Sequence, residues 1–238
     1  MFKLIKIIPM KNIKFALSIL LTIFLLEFSY AQDWANLKRF QEENATLTMP
    51  KAEEHRIVFM GNSITDSWST MRPEFFAGKP YVNRGIGGQT TPQMLLRFRQ
   101  DVIDLHPSVV VILAGINDIA QNTGPSTIKM ISDNIISMAE LAVANNITVV
   151  LCSVLPAYDF PWRKGLGPAD KVIKLNAILK SYAKKHEITF IDYFSAMVNN
   201  VNGLKDELGY DGIHPNAAGY SIMESIFDQE ISNVLMKN

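Results

Sequence analysis

Five short runs of strand-forming, almost wholly apolar residues constrain this chain more than any other feature: 57–60, 81–83, 109–113, 147–154 and 188–191. Amphipathic helical patterns separate them. Met94, Leu95, Phe98, Val102 and Leu105 form one, and Ile128, Ile131, Ile135, Met138, Leu141 and Ala142 the next. Val172, Leu175, Leu179 and Tyr182 form a third, and Ile222, Ile226, Ile231 and Leu235 close the chain. A strand that is apolar along its whole length is buried on both faces, which a parallel sheet between two helical layers provides. The pattern predicts an α/β fold with a central parallel sheet of about five strands. A shorter pattern of Trp34, Leu37, Phe40 and Leu47 predicts a short amphipathic helix packing across the domain ahead of the first strand.

Ligand sites in open α/β sheets lie outside the carboxyl ends of the strands, so the residues following each run carry the functional reading. The first run ends in Gly61-Asn62-Ser63-Ile64-Thr65-Asp66. A glycine that hands an apolar run over to Ser, Thr and Asp reads as a strand turning into a helix. Ser63 then sits at a helix N-terminus, where free N–H groups and the helix dipole favour negative charge. Ser63 is a candidate nucleophile. The same residues read equally as a cap, because Ser is a preferred N-cap and Asp66 stands three positions on, as in a capping box.

A serine hydroxyl is a weak nucleophile until a base takes its proton, and the base needs a group to orient it. Of the four histidines, His55 precedes the first strand, His106 lies at a helix-to-strand turn and His186 ends a helix, all at the wrong edge of the sheet. His214 alone stands in a segment of the right kind, Asp211-Gly212-Ile213-His214-Pro215-Asn216. A tight turn at Gly212 brings the Asp211 carboxylate to one imidazole nitrogen and leaves the other for Ser63; as bare local structure the segment is a turn followed by a helix cap at Asn216. Acyl transfer also needs donors aimed at an oxyanion. The Ser63 amide, Gly88 in Gly85-Ile86-Gly87-Gly88 and the Asn117 side chain in Gly115-Ile116-Asn117-Asp118 are candidates, with a flexible turn and an Asx turn or cap as the plain readings of the last two. The third glycine of a dinucleotide fingerprint is replaced by Thr90, no Walker sequence is present, and the histidines are too scattered for a zinc site.

Together, Gly61-Asn62-Ser63-Ile64, Gly85-Ile86-Gly87-Gly88, Gly115-Ile116-Asn117-Asp118 and Asp211-Gly212-Ile213-His214-Pro215 resemble the four sequence blocks of the SGNH, or GDSL-type, esterases and lipases. The resemblance spans about residues 56–220 and is closest to the branch of platelet-activating-factor acetylhydrolase catalytic subunits and bacterial acetylesterases. It implies a three-layer α/β/α, flavodoxin-like sandwich with Ser63 as nucleophile, His214 as base and Asp211 as its orienting acid. Gly88 and Asn117 would be oxyanion donors beside the Ser63 amide, with no cofactor and no metal. The family usually has Asp before the nucleophile, where this chain has Asn62.

The first thirty residues differ in kind. Lys3, Lys6, Lys11 and Lys14 precede the apolar stretch 15–26, and Ser29-Tyr30-Ala31 offers small residues at a cleavage site. Residues 1–31 read as a signal peptide and 32–238 as a single catalytic domain, periplasmic or secreted and without a stable membrane anchor after cleavage; the apolar stretch is shorter than the ~20 residues of a spanning helix. Without Lys3, Lys6, Lys11, Lys14 and Glu27, 19 basic side chains face 22 acidic ones, and no like-charged run marks a nucleic-acid partner. The single cysteine, Cys152, lies within an apolar strand as a small hydrophobe and excludes an internal disulfide.

The expected activity is hydrolysis of carboxylic esters, of short acetyl type and on carbohydrate, by a Ser-His-Asp acyl-enzyme mechanism. Trp68 and, in the long loop 156–168, Tyr158, Trp162 and Arg163 are the expected substrate contacts, since aromatic faces and Arg suit sugars. A lipid-directed lysophospholipase or thioesterase and a catalytically silent carbohydrate-binding protein on the same fold are the competing readings.

Overall fold

The computed structural model describes residues 33–51 and 53–236; the expected signal peptide lies outside them. The fold belongs to the second of two units, Met1–Trp34 and Ala35–Asn238. Among the described residues, Ile57–Gly61 (β1), Tyr81–Gly85 (β2), Val109–Leu113 (β3), Thr148–Cys152 (β4) and Thr189–Ile191 (β5) form one sheet in the order β2-β1-β3-β4-β5. Every pairing is parallel, with Gly61 level with both Gly85 and Leu113. This is the flavodoxin-like order, whose direction of travel reverses between β1 and β3 and opens a crevice there.

The helices are α1 (Gln41–Thr46), α2 (Ser63–Met71), α3 (Pro73–Phe76), α4 (Thr91–Asp101), α5 (Ile116–Ile119), α6 (Ile128–Ala144), α7 (Pro168–Lys185), α8 (Tyr193–Met197) and α9 (Ala217–Leu235). Right-handed crossovers put the connection from β1 to β2 on one face and those leading to β3, β4 and β5 on the other. Accordingly α4 packs on α6 and α6 on α7, whereas α2 meets α9. The result is the expected three-layer α/β/α sandwich.

All five residues of β1 and of β3 are buried, and each such large apolar side chain contributes about 1.5–3 kcal/mol relative to exposure. Below β1, Phe59 packs against Trp68, Phe75, Phe76, Tyr81 and Phe227, with ring centroids 5.1–6.1 Å apart. Cys152 is buried, and burial pushes its thiol up. The helix expected between Trp34 and Leu47 is reduced to α1, none of whose residues is buried. Asn36 adopts φ 54, which breaks the helical run, and Phe40 anchors the segment, buried with the Arg84 guanidinium 4.5 Å above its ring.

A buried polar network ties the strand ends together. Arg97 on α4, fully enclosed, donates to Gly61 O at 3.1 Å, Arg84 O at 2.8 Å and Gln89 Oε1 at 2.6 Å, and pairs with Asp101 at 3.0 Å. Burial pulls its guanidinium down to about 10, with Asp101 opposing. Gln89 in turn donates to Ala35 O at 2.7 Å. Arg97 thus fixes the ends of β1 and β2 and the turn after β2 relative to one another.

Candidate active site

The first turn of α2 lies hard against the end of β2: a Cβ on Gly85 would run into the Asp66 backbone. Asn62, 1% exposed, is the N-cap of this helix, its Oδ1 accepting the Ile64 N–H at 3.1 Å. The cap that the sequence allowed for Ser63 is therefore supplied by Asn62, which also gives that residue its role, since Asn caps as well as Asp. Ser63 is the first helical residue, in the turn whose N–H groups lack intrahelical partners. Its hydroxyl is left for His214, with Oγ 2.9 Å from Nε2.

His214 and Asp211 stand on a hairpin between Leu208 and α9. Gly209 bridges Pro215, the Tyr210 amide donates to His214 O at 3.2 Å, and the Asn216 side chain caps α9 through Gly219 N at 3.0 Å. Asp211 Oδ1 accepts the amides of Ile213 at 2.9 Å and His214 at 2.8 Å, which aims Oδ2 at His214 Nδ1, 2.7 Å away. Burial raises the Asp211 carboxyl, but these donors outweigh it and hold it below its ordinary value. With Nδ1–H donating to this carboxylate, Nε2 is the acceptor facing Ser63. A hydroxyl–imidazole–carboxylate chain in this order can activate a serine for covalent catalysis.

The turn after β2 comes next to Ser63, a Cβ on Gly87 falling 4.0 Å from that of Ser63. Gly88 has φ 76 with nothing near the place of a side chain, a conformation that suits glycine. Asn117, at the start of α5 and 4% exposed, donates Nδ2 to Gln89 O at 3.0 Å, leaving its second amide hydrogen uncommitted by that bond. Gly88 and Asn117 thus belong to one cluster bordering Ser63, drawn from the adjacent ends of β1, β2 and β3.

The expected substrate contacts fare differently. Trp68 is corrected: it is 2% exposed, stacked on Phe75 at 5.1 Å, and its Nε1 donates to Glu224 at 3.1 Å. One helical turn beyond Ile64, it shares that residue's buried face of α2. Arg163 donates Nη1 to Ala120 O at 2.9 Å and Gln121 O at 2.7 Å, so this part of the guanidinium anchors its loop to the end of α5. Trp162, 48% exposed, lies with its ring 6.2 Å from the His214 ring, and Tyr158, 63% exposed, lines a groove of ≈ 460 Å³ between the 156–168 and 199–212 loops. Tyr210, not singled out in the sequence, is 63% exposed and stacks on His214 at 5.6 Å and 10°. A cavity of ≈ 500 Å³ at the amino ends of β4 and β5 is remote from these groups. No group of three His, Cys, Asp or Glu side chains among the described residues is placed to hold a metal ion.

The sequence model of the GDSL-like lipase/acylhydrolase family matches residues 59–222, the span that contains all of these groups. The chain belongs to that family. That family is one of lipases and acylhydrolases. A crystal structure of a GDSL-like lipase from Bacteroides thetaiotaomicron is 48% identical, covering 84% of this chain and 98% of its own, with a TM-score of 0.82. A Bacteroides fragilis protein assigned as an acylhydrolase is also 48% identical, over 86% and 99% of the two chains, with a TM-score of 0.84. An acetylxylan esterase from Xylanibacter ruminicola is 26% identical over 76% of this chain and 44% of its own. The chain spans less than half the length of the curated relatives it matches.

Proposed function

We propose that this GDSL hydrolase is an exported serine esterase that removes short acyl groups, acetyl above all, from carbohydrate. The observation that carries the mechanism is the unbroken chain from Ser63 Oγ through His214 to Asp211, with links of 2.9 and 2.7 Å. His214 Nε2 takes the Ser63 proton as Oγ attacks the ester carbonyl. The oxyanion is held by the Ser63 and Gly88 amides and the Asn117 side chain, and His214 returns the proton to the departing sugar alcohol. Water, deprotonated by the same imidazole, then releases the acid. Asp211, kept ionised by its own donors, stabilises the imidazolium formed at each step.

Three exposed rings, Tyr158, Trp162 and Tyr210, support a sugar as the alcohol, since aromatic faces pack against the C–H faces of pyranoses. The acetylxylan esterase relative points the same way. The test is hydrolysis of p-nitrophenyl acetate and of acetylated xylo-oligosaccharides by wild type and Ser63→Ala. Loss of both activities on substitution is expected, and an equal rate in the two proteins would overturn the mechanism. Faster cleavage of long-chain acyl esters or lysophospholipids than of acetylated sugars would replace the substrate class. Export predicts a mature protein whose first residue is Gln32, readable by N-terminal mass spectrometry of the secreted or periplasmic fraction.

A further inference from the structure

Asp118 is a buried carboxylate that the mechanism above does not use. It is 1% exposed, and among the described residues it forms no ion pair. Its partner is Thr91, the first residue of α4: the Thr91 amide donates to both carboxylate oxygens, at 3.0 and 2.9 Å, and the Thr91 hydroxyl to Oδ1 at 2.6 Å. Asn134 on α6 donates to that hydroxyl oxygen at 3.0 Å, which directs the hydroxyl hydrogen at Asp118. Two further bonds join the same pair of segments, Asn117 Nδ2 to Gln89 O at 3.0 Å and Asn122 Nδ2 to Gly88 O at 3.1 Å. The side chains of Asn117, Asp118 and Asn122 therefore grip the backbone from Gly88 to Thr91.

Capping alone does not account for a carboxylate here. Helix α4 already has Thr90 as N-cap in a complete capping box with Gln93, whose Oε1 accepts the Thr90 amide at 3.0 Å. A charge enclosed without a cation opposes folding: burial pushes the Asp118 carboxyl up to about 6, with the donors of Thr91 and its own amide pulling the other way. What the carboxylate adds is register. Asn117 and Asp118 are adjacent in the chain, and the backbone groups they hold, Gln89 O and the Thr91 amide, are separated by Thr90 alone, so fixing Thr91 holds the turn through Gly88 and Gln89 against the Asn117 amide.

We propose that Asp118 is a positioning residue that, through Thr91, locks the Gly88 turn in register with Asn117 so that both donors converge on one oxyanion. The proposal rests on the oxyanion reading of Gly88 and Asn117. It is tested with Asp118→Asn, Thr91→Val, Thr91→Ser, Asn117→Ala and the Asn117→Ala/Asp118→Asn double variant, by kcat and KM on p-nitrophenyl acetate at pH 8 and by melting temperature. Asp118→Asn is expected to lower kcat about tenfold or more, a share of what a whole oxyanion donor supplies, with KM within about twofold. Thr91→Val loses less, and Thr91→Ser keeps the wild-type rate. Because Asp118 acts through the donors, the double variant falls by less than the product of the single losses. An Asp118→Asn enzyme with kcat within about twofold of wild type overturns the proposal, whatever its melting temperature, and leaves Asp118 a helix contact. Should Asn117→Ala itself keep the wild-type kcat, the oxyanion reading fails first, and that failure is separate from the Asp118 result.

Discussion

Two halves of the site are built on different principles. Ser63, Gly88 and Asn117 stand at the ends of β1, β2 and β3, cross-linked from below by Arg97 and from the side by Asp118 and Thr91, in a network whose side chains are nearly all enclosed. The rings of Tyr158, Trp162 and Tyr210, by contrast, sit on the loops 156–168 and 199–212 and are 63%, 48% and 63% exposed. The reacting atoms need placement within fractions of an ångström, which hydrogen bonds to strand ends supply. Recognition of a solvated alcohol needs accessible surface, which loops supply. His214 belongs to the loop half by position, but the Gly209–Pro215 bridge and the Asp211 carboxylate give it the fixity of the other half.

If that division holds, substitutions in the buried half change stability and kcat, and those in the loop half change KM. The largest effect is expected from Arg97→Met, which leaves the buried Asp101 without its cation and removes the donors to Gly61 O and Arg84 O. Breaking a fully buried pair in this way costs about 3–5 kcal/mol, readable by urea denaturation; a loss within the range of surface substitutions would show that the network is dispensable. Next, Asn117→Ala should lower kcat by about 10²- to 10³-fold while KM changes little, in steady-state kinetics on p-nitrophenyl acetate.

Asp118 gives a pH test of the same half. Its folded value of about 6 lies above the ordinary carboxyl value of 3.8, so the penalty for ionising it is complete above pH 6 and is relieved as pH falls toward 4. Relative to Asp118→Asn, the wild type should gain up to about 3 kcal/mol of stability between pH 7 and pH 4, measured by denaturation at each pH; a flat difference would contradict the buried charge. Smallest is the loop half. Trp162→Ala should raise KM for acetylated xylo-oligosaccharides by about 2- to 10-fold, the worth of one aromatic contact, and leave kcat unchanged on both the oligosaccharide and p-nitrophenyl acetate.

The same contrast explains what was legible in the sequence. The strands were readable because burial on both faces leaves an unbroken apolar run: 109–113 coincides with β3, and the others differ from the observed strands only at their ends. Ser63, Gly88 and Asn117 follow from the rule that α/β sheets place their sites at the strand ends, and His214 with Asp211 from the need of a serine for an oriented base. What escaped was decided by side-chain direction or by contacts distant in sequence. Trp68 looked like a rim aromatic, although its spacing from Ile64 already placed it on the buried face of α2. Asn62 and Ser63 are adjacent preferred caps, and only the backbone shows that Asn62 takes the role. The anchoring of Arg163 to Ala120 and the grip of Asp118 on Thr91 join residues 43 and 27 positions apart, which no local pattern encodes.

Covalent capture of the nucleophile tests the mechanism most directly. The protein is treated with a fluorophosphonate ester, which phosphonylates only a serine activated by a neighbouring base, and the adduct is mapped by peptide mass spectrometry. One adduct per chain on Ser63 is expected, lost in Ser63→Ala, strongly slowed in His214→Ala and retained in Trp162→Ala. An unlabelled wild-type protein that still hydrolyses p-nitrophenyl acetate, or a label that settles on another residue, would contradict the Ser63–His214–Asp211 mechanism.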